Sequence, residues 1–443
     1  MSEGPSEKKV VHADPTKDFF VDMITRDIAL EDCIFDFMDN AIDGARRAGP
    51  RNGDELPFSD YRIDISFDKG HFQVKDNCGG ITLSDAIDYA FHFGRRTDGP
   101  VDVEGGIGLY GIGMKRGIFK IGRKADVISE AKDDCFNVIV DVIEWKRDPK
   151  NWDFEYFDHP RLGTNGTTIK ITELNSGIDA AFGDPGFQNK LIKLIARDYS
   201  FFIDRGLSIF VCGQPAPSYQ YRLKSGEDIQ PAVQEYADDG VTVRIVAGVV
   251  DELPDDIPDE LMPTEVERYG WFVVCNDRVV LAADRTKLTI WGDDGYKTWH
   301  PQYNGFAGYV FFSAKDQRLL PWTTTKRSVD PAHPLYRRTV TKMKLLTDQF
   351  AAYTNQRKAD PDAAKIVEQA ARQVDVTQLH GQQAMKLPST PTIYVKPDFV
   401  NISYKRKVTE VEAIRHHLGR RYMSAKEVGE RTFDYFLKME LGK

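Results

Sequence analysis

Four short stretches of the chain hold residue types that chemistry uses. Asp36-Phe37-Met38-Asp39-Asn40-Ala41-Ile42-Asp43-Gly44-Ala45 sets a carboxylate four residues before a carboxamide, and on a helix Asp36 and Asn40 then share one face. An amide oxygen is a hard ligand for magnesium, and a carboxylate beside it can orient or deprotonate an attacking water. Val74-Lys75-Asp76-Asn77-Cys78-Gly79-Gly80-Ile81 ends a strand on an acid followed by two glycines. Such an acid can accept from the amino group of adenine, and glycines let backbone approach a base. Gly105-Gly106-Ile107-Gly108-Leu109-Tyr110-Gly111-Ile112-Gly113-Met114-Lys115 runs into a segment with helical spacing. It offers backbone N–H groups and a lysine to phosphate oxygens. It is not a Walker loop, because no Gly-Lys-Ser/Thr occurs there, and it does not follow a strand as a dinucleotide fingerprint would. Gly166-Thr167-Thr168-Ile169-Lys170-Ile171 brings a threonine hydroxyl to the start of a strand, where it can bridge to a base or to Asp76. Taken singly, each stretch has an ordinary counterpart: a solvated polar stripe, a tight turn, a flexible loop, a strand former.

The elements that must hold these residues follow from periodicity. Apolar residues recur at three- and four-residue steps over 17–49, which predicts two helices ending at Gly49-Pro50. Alternation over 61–67 and 71–75 around Asp68-Lys69-Gly70 predicts a hairpin. A helix over 83–93 and strands over 125–129, 135–143 and 167–173 complete a mixed first domain with a mainly antiparallel sheet. Helical spacing returns over 186–205. Strands follow over 207–212, 241–249, 270–274, 278–281 and 307–312, then a helix over 334–356, which reads as a second α+β domain. The Ala-, Gln-, Asp- and Pro-rich stretch 357–397 reads as a linker.

Whole-chain properties bound the answer. The 443 residues are 41% hydrophobic and 29% charged, with a net charge of −9, which fits a soluble multidomain protein and excludes a globally basic nucleic-acid coat. No apolar run approaches the roughly 18 residues of a membrane span, and the polar 1–15 arm lacks a secretory core, so a cytoplasmic location without membrane contact is expected. Cys33, Cys78, Cys135, Cys212 and Cys275 show no metal-ligand spacing and read as buried thiols.

In order and spacing, the four stretches resemble the nucleotide-binding fold of the gyrase, heat-shock-90, histidine-kinase and MutL superfamily (GHKL) over 16–174. The resemblance implies an α+β chain whose N-terminal domain, 16–180, is a GHKL (Bergerat) α/β sandwich that takes ATP and magnesium. It implies magnesium at Asn40, adenine at Asp76 with Gly80, phosphates under Gly108, Gly111, Gly113, Met114 and Lys115, and base-pocket closure by Thr167. There are two departures. The family's glutamate four residues before the asparagine is Asp36 here, one methylene shorter, which implies slower catalysis. The first glycine of its Asp-x-Gly-x-Gly is Cys78, which changes the shape of the base pocket.

The second domain, 181–356, is similar to the transducer domain of gyrase B and MutL proteins. Its Leu320-Pro321-Trp322-Thr323-Thr324-Thr325-Lys326 loop resembles the one whose lysine reaches the terminal phosphate, so the resemblance makes Lys326 catalytic with Asp36. Asn276-Asp277-Arg278-Val279 resembles the short MutL hairpin turn, and Tyr110-Gly111-Ile112-Gly113-Met114-Lys115 is similar to the MORC lid. The terminal module, 398–443, reads as a strand over 401–407 and helices over 408–418 and 424–441. This order resembles a ribbon-helix-helix motif, in which Ser403, Lys405 and Lys407 would meet DNA while Ile402 and Tyr404 face a core; a plain dimerisation tail is the alternative. The expected function is a slow, magnesium-dependent ATPase switch, an ATP-gated homodimer acting on DNA or a DNA-bound complex. The alternatives are a chaperone, a histidine kinase, or a nucleotide-sensing scaffold with little turnover.

Overall fold

The computed structural model describes residues 15–49, 57–94, 103–108, 111–250, 268–293, 295–358, 360–388, 404–419 and 422–442. Helices α1 (Lys17–Thr25) and α2 (Leu30–Ala48) form where the apolar spacing requires them. The Thr16 hydroxyl accepts from the Phe19 N–H at the start of α1. Gly49, with φ +97°, ends α2 in a conformation that other residues rarely adopt. Strands β1 (Arg62–Phe67) and β2 (His71–Asp76) make the expected hairpin, and the Asp68 carboxylate accepts from the Gly70 and His71 N–H groups in its turn.

The helix expected over 83–93 is shorter. A single turn, α3 (Leu83–Asp85), passes into a π-helical turn over Ala86–Ala90. Side chains bind two of its carbonyls: Lys115 Nζ donates to Ala90 O at 2.8 Å and His92 Nε2 pairs with Ile87 O at 3.1 Å. The glycine-rich stretch leads into α4 (Gly113–Ile121), followed by β3 (Gly122–Ala131), β4 (Asp134–Asp141), α5 (Val142–Arg147), β5 (Glu155–Asp158) and β6 (Gly166–Leu174). After α6 (Ile178–Phe182), α7 (Pro185–Asp198) and α8 (Ser200–Asp204), the chain returns to the same sheet as β7 (Ser208–Val211) and β8 (Gln214–Pro215).

The first sheet has eight strands in the order β5-β4-β3-β6-β2-β1-β7-β8. Its pairings are antiparallel except that of β1 with β7, where Ile63 faces Ile209. Residues 208–215 lie past 180, where the first domain was expected to close, and pair within this sheet. The expected boundary followed the nucleotide motifs, whereas the edge of β1 still had backbone groups to pair. Ile34, Phe37, Met38 and Ile42 of α2 bury in the same core as Ile63, Ile65, Phe72, Val74 and Ile171 of the sheet. Each such side chain contributes about 1.5–3 kcal/mol by leaving water. α4 lies so close to α2 that a Cβ at Gly117 would come 2.5 Å from the Phe37 ring.

The second sheet has the order β10-β11-β14-β12-β13, from β10 (Ala232–Asp238), β11 (Val241–Val249), β12 (Gly270–Cys275), β13 (Arg278–Asp284) and β14 (Phe306–Ala314). β12 and β14 are central, parallel and nearly continuous in apolar residues, the pattern of strands covered on both faces. Asn276 (φ +46°) and Asp277 (φ +69°) form the tight turn between β12 and β13. The long helix α9 (Pro334–Arg357) packs against β11, and α7 touches β7 and β13 and so joins the two sheets.

The stretch read as a linker is structured from its start. Helix α10 (Pro361–Ala370) follows α9, and β15 (Arg372–Asp375) pairs with β9 (Arg222–Ser225). Buried Glu368 accepts from Arg357 Nε at 2.8 Å and from the Tyr353 hydroxyl at 2.7 Å, while Val376 fills the second face of the sheet. Composition is blind to a pairing partner 150 residues earlier, which is why this segment reads as loose.

Residues 391–443 form a separate unit. Its helices are α11 (Val408–His417) and α12 (Ala425–Glu440), the latter opened by a capping box between Ser424 and Glu427. In the strand expected over 401–407, residues 401–403, with Ile402 and Ser403, lie outside the described residues, and Tyr404–Lys407 take no strand conformation. Tyr404 is exposed rather than in a core. A ribbon requires a second chain to pair with, and a single chain supplies no partner strand. The 1–15 arm lies outside the described residues but for Pro15. Among the described residues no helix is long and apolar enough to cross a membrane.

Candidate functional site

α2 carries Asp36, Asp39, Asn40 and Asp43 along one side, and the three carboxylates are buried while Asn40 is exposed. Asp36 Oδ2 accepts from Arg116 Nε at 3.1 Å and Nη2 at 2.5 Å, so α4 supplies its counter-ion. Asp39 accepts from Lys326 Nζ at 2.7 Å and from the Tyr199 hydroxyl at 2.8 Å, with Arg278 Nε 3.5 Å away. Lys326 Nζ also lies 3.7 Å from Asp36 Oδ1. Burial alone would raise the Asp39 carboxyl, but Lys326, Arg278 and Tyr199 bring it below its ordinary value. Burial would likewise lower Lys326, and Asp39 and Asp36 hold it above the usual lysine range.

Asp43 works on the glycine-rich stretch. It accepts from the Ile107 N–H at 2.8 Å and the Gly108 N–H at 2.6 Å, yet burial outweighs these bonds and Arg46 and raises its carboxyl. A Cβ at Gly108 would lie 2.9 Å from Asp43 Oδ2 and 3.6 Å from Asn40 Oδ1, so the glycine lets this backbone reach the helix. A Cβ at Gly113 would lie 2.9 Å from Asp36 Cγ. Lys115 is buried against Ala90 O and Gly111 O, and burial lowers its ammonium to about 7.

At the other end, Asp76 makes no ion pair among the described residues. Its Oδ1 accepts from the Cys78 N–H at 2.8 Å and the Thr167 N–H at 3.3 Å, and burial pushes its carboxyl up to about 6. Gly80, at φ +69°, passes so near β3 that a Cβ there would sit 2.1 Å from Glu130 O. Ser129 Oγ approaches Thr167 Oγ1 at 3.5 Å and accepts from the Ile81 N–H at 2.7 Å. Thr167 thus meets Asp76 through its backbone, while its hydroxyl turns to Ser129. Cys78 is buried, and Gly44 is the residue that leaves room for its carbonyl, 2.5 Å from where a Cβ would be.

All eleven residues singled out in the sequence line one cavity of about 630 Å³: Asp36, Asn40, Asp76, Gly80, Gly108, Gly111, Gly113, Met114, Lys115, Thr167 and Lys326. Residues 28–159 match the family model described as histidine kinase-, DNA gyrase B-, and HSP90-like ATPase. This stretch belongs to the GHKL ATPase superfamily. The ATPase domain therefore carries the nucleotide-binding fold of that superfamily within an α+β architecture. Its match ends before β6 and before Lys326, both of which reach the cavity. A search of curated proteins found no significant match.

Sequence reasoning missed Arg116 and Tyr199 as site residues, named Asp39 and Asp43 only as part of a motif, and saw Arg278 only as part of a turn. The three aspartates were detectable as acids spaced three and four apart beside an apolar helix face. Tyr199 and Arg278 carried no local signal, since their partner is more than seventy residues distant.

Proposed function

We propose that this chain binds magnesium-ATP in the cavity, hydrolyses it slowly, and uses the cycle to change the relation between the ATPase domain and the sheet that carries Lys326. The supporting observation is the convergence of four separated stretches and one loop of the second sheet on a single cavity. Asp76 accepts from the adenine amino group, Gly80 leaves room for the ring, and Thr167 closes the wall behind it. The glycine backbone at Gly108, Gly111 and Gly113, with Met114 and Lys115, surrounds the phosphates. Asn40 Oδ1 faces that backbone and is the oxygen we assign to magnesium. Among the described residues no cluster of three acidic, His or Cys side chains is poised for a metal. A single amide oxygen suits an ion that keeps its waters and phosphate oxygens. Bound magnesium would neutralise charge that develops on the phosphates.

In this reading Asp36 orients the attacking water and Lys326 moves from Asp39 to the terminal phosphate. Two protomers then approach through their ATPase domains, and the client is DNA or a DNA-bound complex. The terminal stretch 399–443 supports the last point only by its charge, ten lysines and arginines against six acids. A second reading, a nucleotide sensor with little turnover, is favoured by one observation: Asp36 and Lys326 are both already paired.

Calorimetry with magnesium-ATP tests the core of the proposal. Saturable heat that disappears in the Asn40→Ala, Asp76→Ala double variant supports it, and no heat with the wild-type chain overturns it. Single-turnover hydrolysis separates ATPase from sensor. Turnover with and without duplex DNA, alongside mass measurement with a nonhydrolysable analogue, tests client and dimer; a DNA-independent monomer in every state removes both.

A further inference from the structure

The connection from β14 to α9 touches the cavity wall at two places, and only one of them is Lys326. Gln317, 1% exposed, donates from Nε2 to Gly108 O at 2.5 Å. Around it the same stretch of wall is bound to the second sheet by one backbone pair and one side-chain amide. The Gly105 N–H donates to Lys315 O at 2.9 Å, and Asn276 Nδ2 donates to Gly106 O and to Ala314 O, each at 3.1 Å. Asn276 Oδ1 accepts from the Ala314 N–H at 2.9 Å, which fixes the amide between the β12–β13 turn and the end of β14. The residue whose carbonyl Gln317 grips also gives its N–H to Asp43 on α2. Gly108 is therefore held from both sides, by the nucleotide helix and by the second sheet.

Resting on the reading of the cavity as an ATP site, we propose that Gln317 is a positioning residue that ties the phosphate-facing wall at Gly108 to the second sheet. Phosphates settling against this backbone would shift Gly108, whose N–H is held by Asp43 and whose carbonyl, in the next peptide unit, is held by Gln317. Any displacement is then carried to Gln317 and along the connection that also bears Lys326. The amide is only half used: its Oε1 has no hydrogen-bond partner among the described residues, and it is the atom that a Cβ at Gly106 would approach to 2.6 Å. A contact that leaves a buried acceptor unmatched is easier to release than a fully bonded one.

The test uses the full chain. Gln317→Glu keeps the side-chain shape but turns the donor into an acceptor facing a carbonyl, and Gln317→Ala removes it. Both are expected to raise KM for ATP about fivefold to tenfold, the loss of one buried hydrogen bond, while kcat changes less than about twofold. Hydrogen exchange supplies a readout that packing alone would not move. In the wild-type chain a nonhydrolysable magnesium-ATP analogue is expected to change exchange over 306–320 and at the 276–278 turn, and in both variants that response is lost although the analogue still binds. Gly106→Ala reaches the same contact from the other side and should abolish the response as well, which decides the matter if the Gln317 variants do not fold. A wild-type KM in Gln317→Glu, or an intact exchange response in the variants with the analogue bound, overturns this proposal alone. No magnesium-ATP binding by the wild-type chain overturns the ATP-site reading and this inference together.

Discussion

The two ends of the cavity are built on opposite electrostatic plans. At one end Asp76 is a solitary carboxylate, held by two backbone N–H groups, with burial pushing it up to about 6. At the other, Asp36 and Asp39 are matched by Arg116, Lys326 and Arg278, and Tyr199 gives its hydroxyl to Asp39. A lone buried acid is costly until something donates to it, so it selects for a neutral donor such as an amino group. A balanced network tolerates the arrival of more negative charge only if a cation is released toward it, and that makes it a place where charge is exchanged. Under the proposed function, one end reads the ligand and the other responds to it.

The largest expected effect breaks the responsive end. Lys326→Ala should lower kcat about a hundredfold to a thousandfold, as removal of a charge-stabilising group does, with KM changing far less. It should also reduce stability by about 3 kcal/mol in denaturant unfolding, because Asp39 loses its nearest counter-ion while staying buried. A wild-type kcat would make the lysine structural only.

Asp76→Asn addresses the reading end and should weaken ATP binding about tenfold to a hundredfold, or 1–3 kcal/mol, with kcat at saturation little changed; calorimetry and steady-state kinetics check the two halves. Equal losses in kcat and affinity would erase the contrast between the ends.

The third effect is one of pH. In the proposed role Asp76 accepts from adenine most strongly when ionised, so affinity should fall as pH drops through about 6. In the proposed role Lys115 attracts phosphate only when charged, and burial lowers its ammonium to about 7, so affinity should also fall as pH rises through about 7. For the free chain the signs reverse. Asp76 is raised, so its contribution favours folding at low pH and is lost as pH climbs through about 6. Lys115 is lowered, so its contribution is present at high pH and lost as pH falls through about 7. ATP affinity should thus peak between about 6 and 7, and Asp76→Asn should flatten the acidic limb alone.

The smallest effect concerns the short acid. Asp36→Glu restores the longer family side chain, but Asp36 is buried with its carboxylate already fixed by Arg116, so the added methylene must displace that pair. We expect no gain in turnover and a stability loss of about 1–3 kcal/mol by thermal unfolding.

Much of this was legible in the sequence where function is carried by local pattern. Asp36 to Asn40, Asp76 to Gly80 and the glycine run each announce themselves through residue type at short spacing, and α2 and the β1–β2 hairpin follow from periodicity. Contacts made at long range stayed hidden. Nothing near Ser208 shows that it pairs with Arg62, and nothing near Gln317 shows that it holds Gly108. Glu368 lies in a polar, helix-neutral stretch, and only its partners Arg357 and Tyr353 reveal that it is buried.

The return of the chain to the first sheet as β7 bears on how the protein is made. β1 waits for a neighbour that emerges nearly 150 residues later, and the cavity lacks its last cation until Lys326 has been synthesised. Until β7 emerges the first sheet has an open edge and is open to wrong pairing, and until Lys326 follows Asp39 lacks its nearest counter-ion. Nucleotide can meet a finished pocket only after most of the polypeptide has left the ribosome.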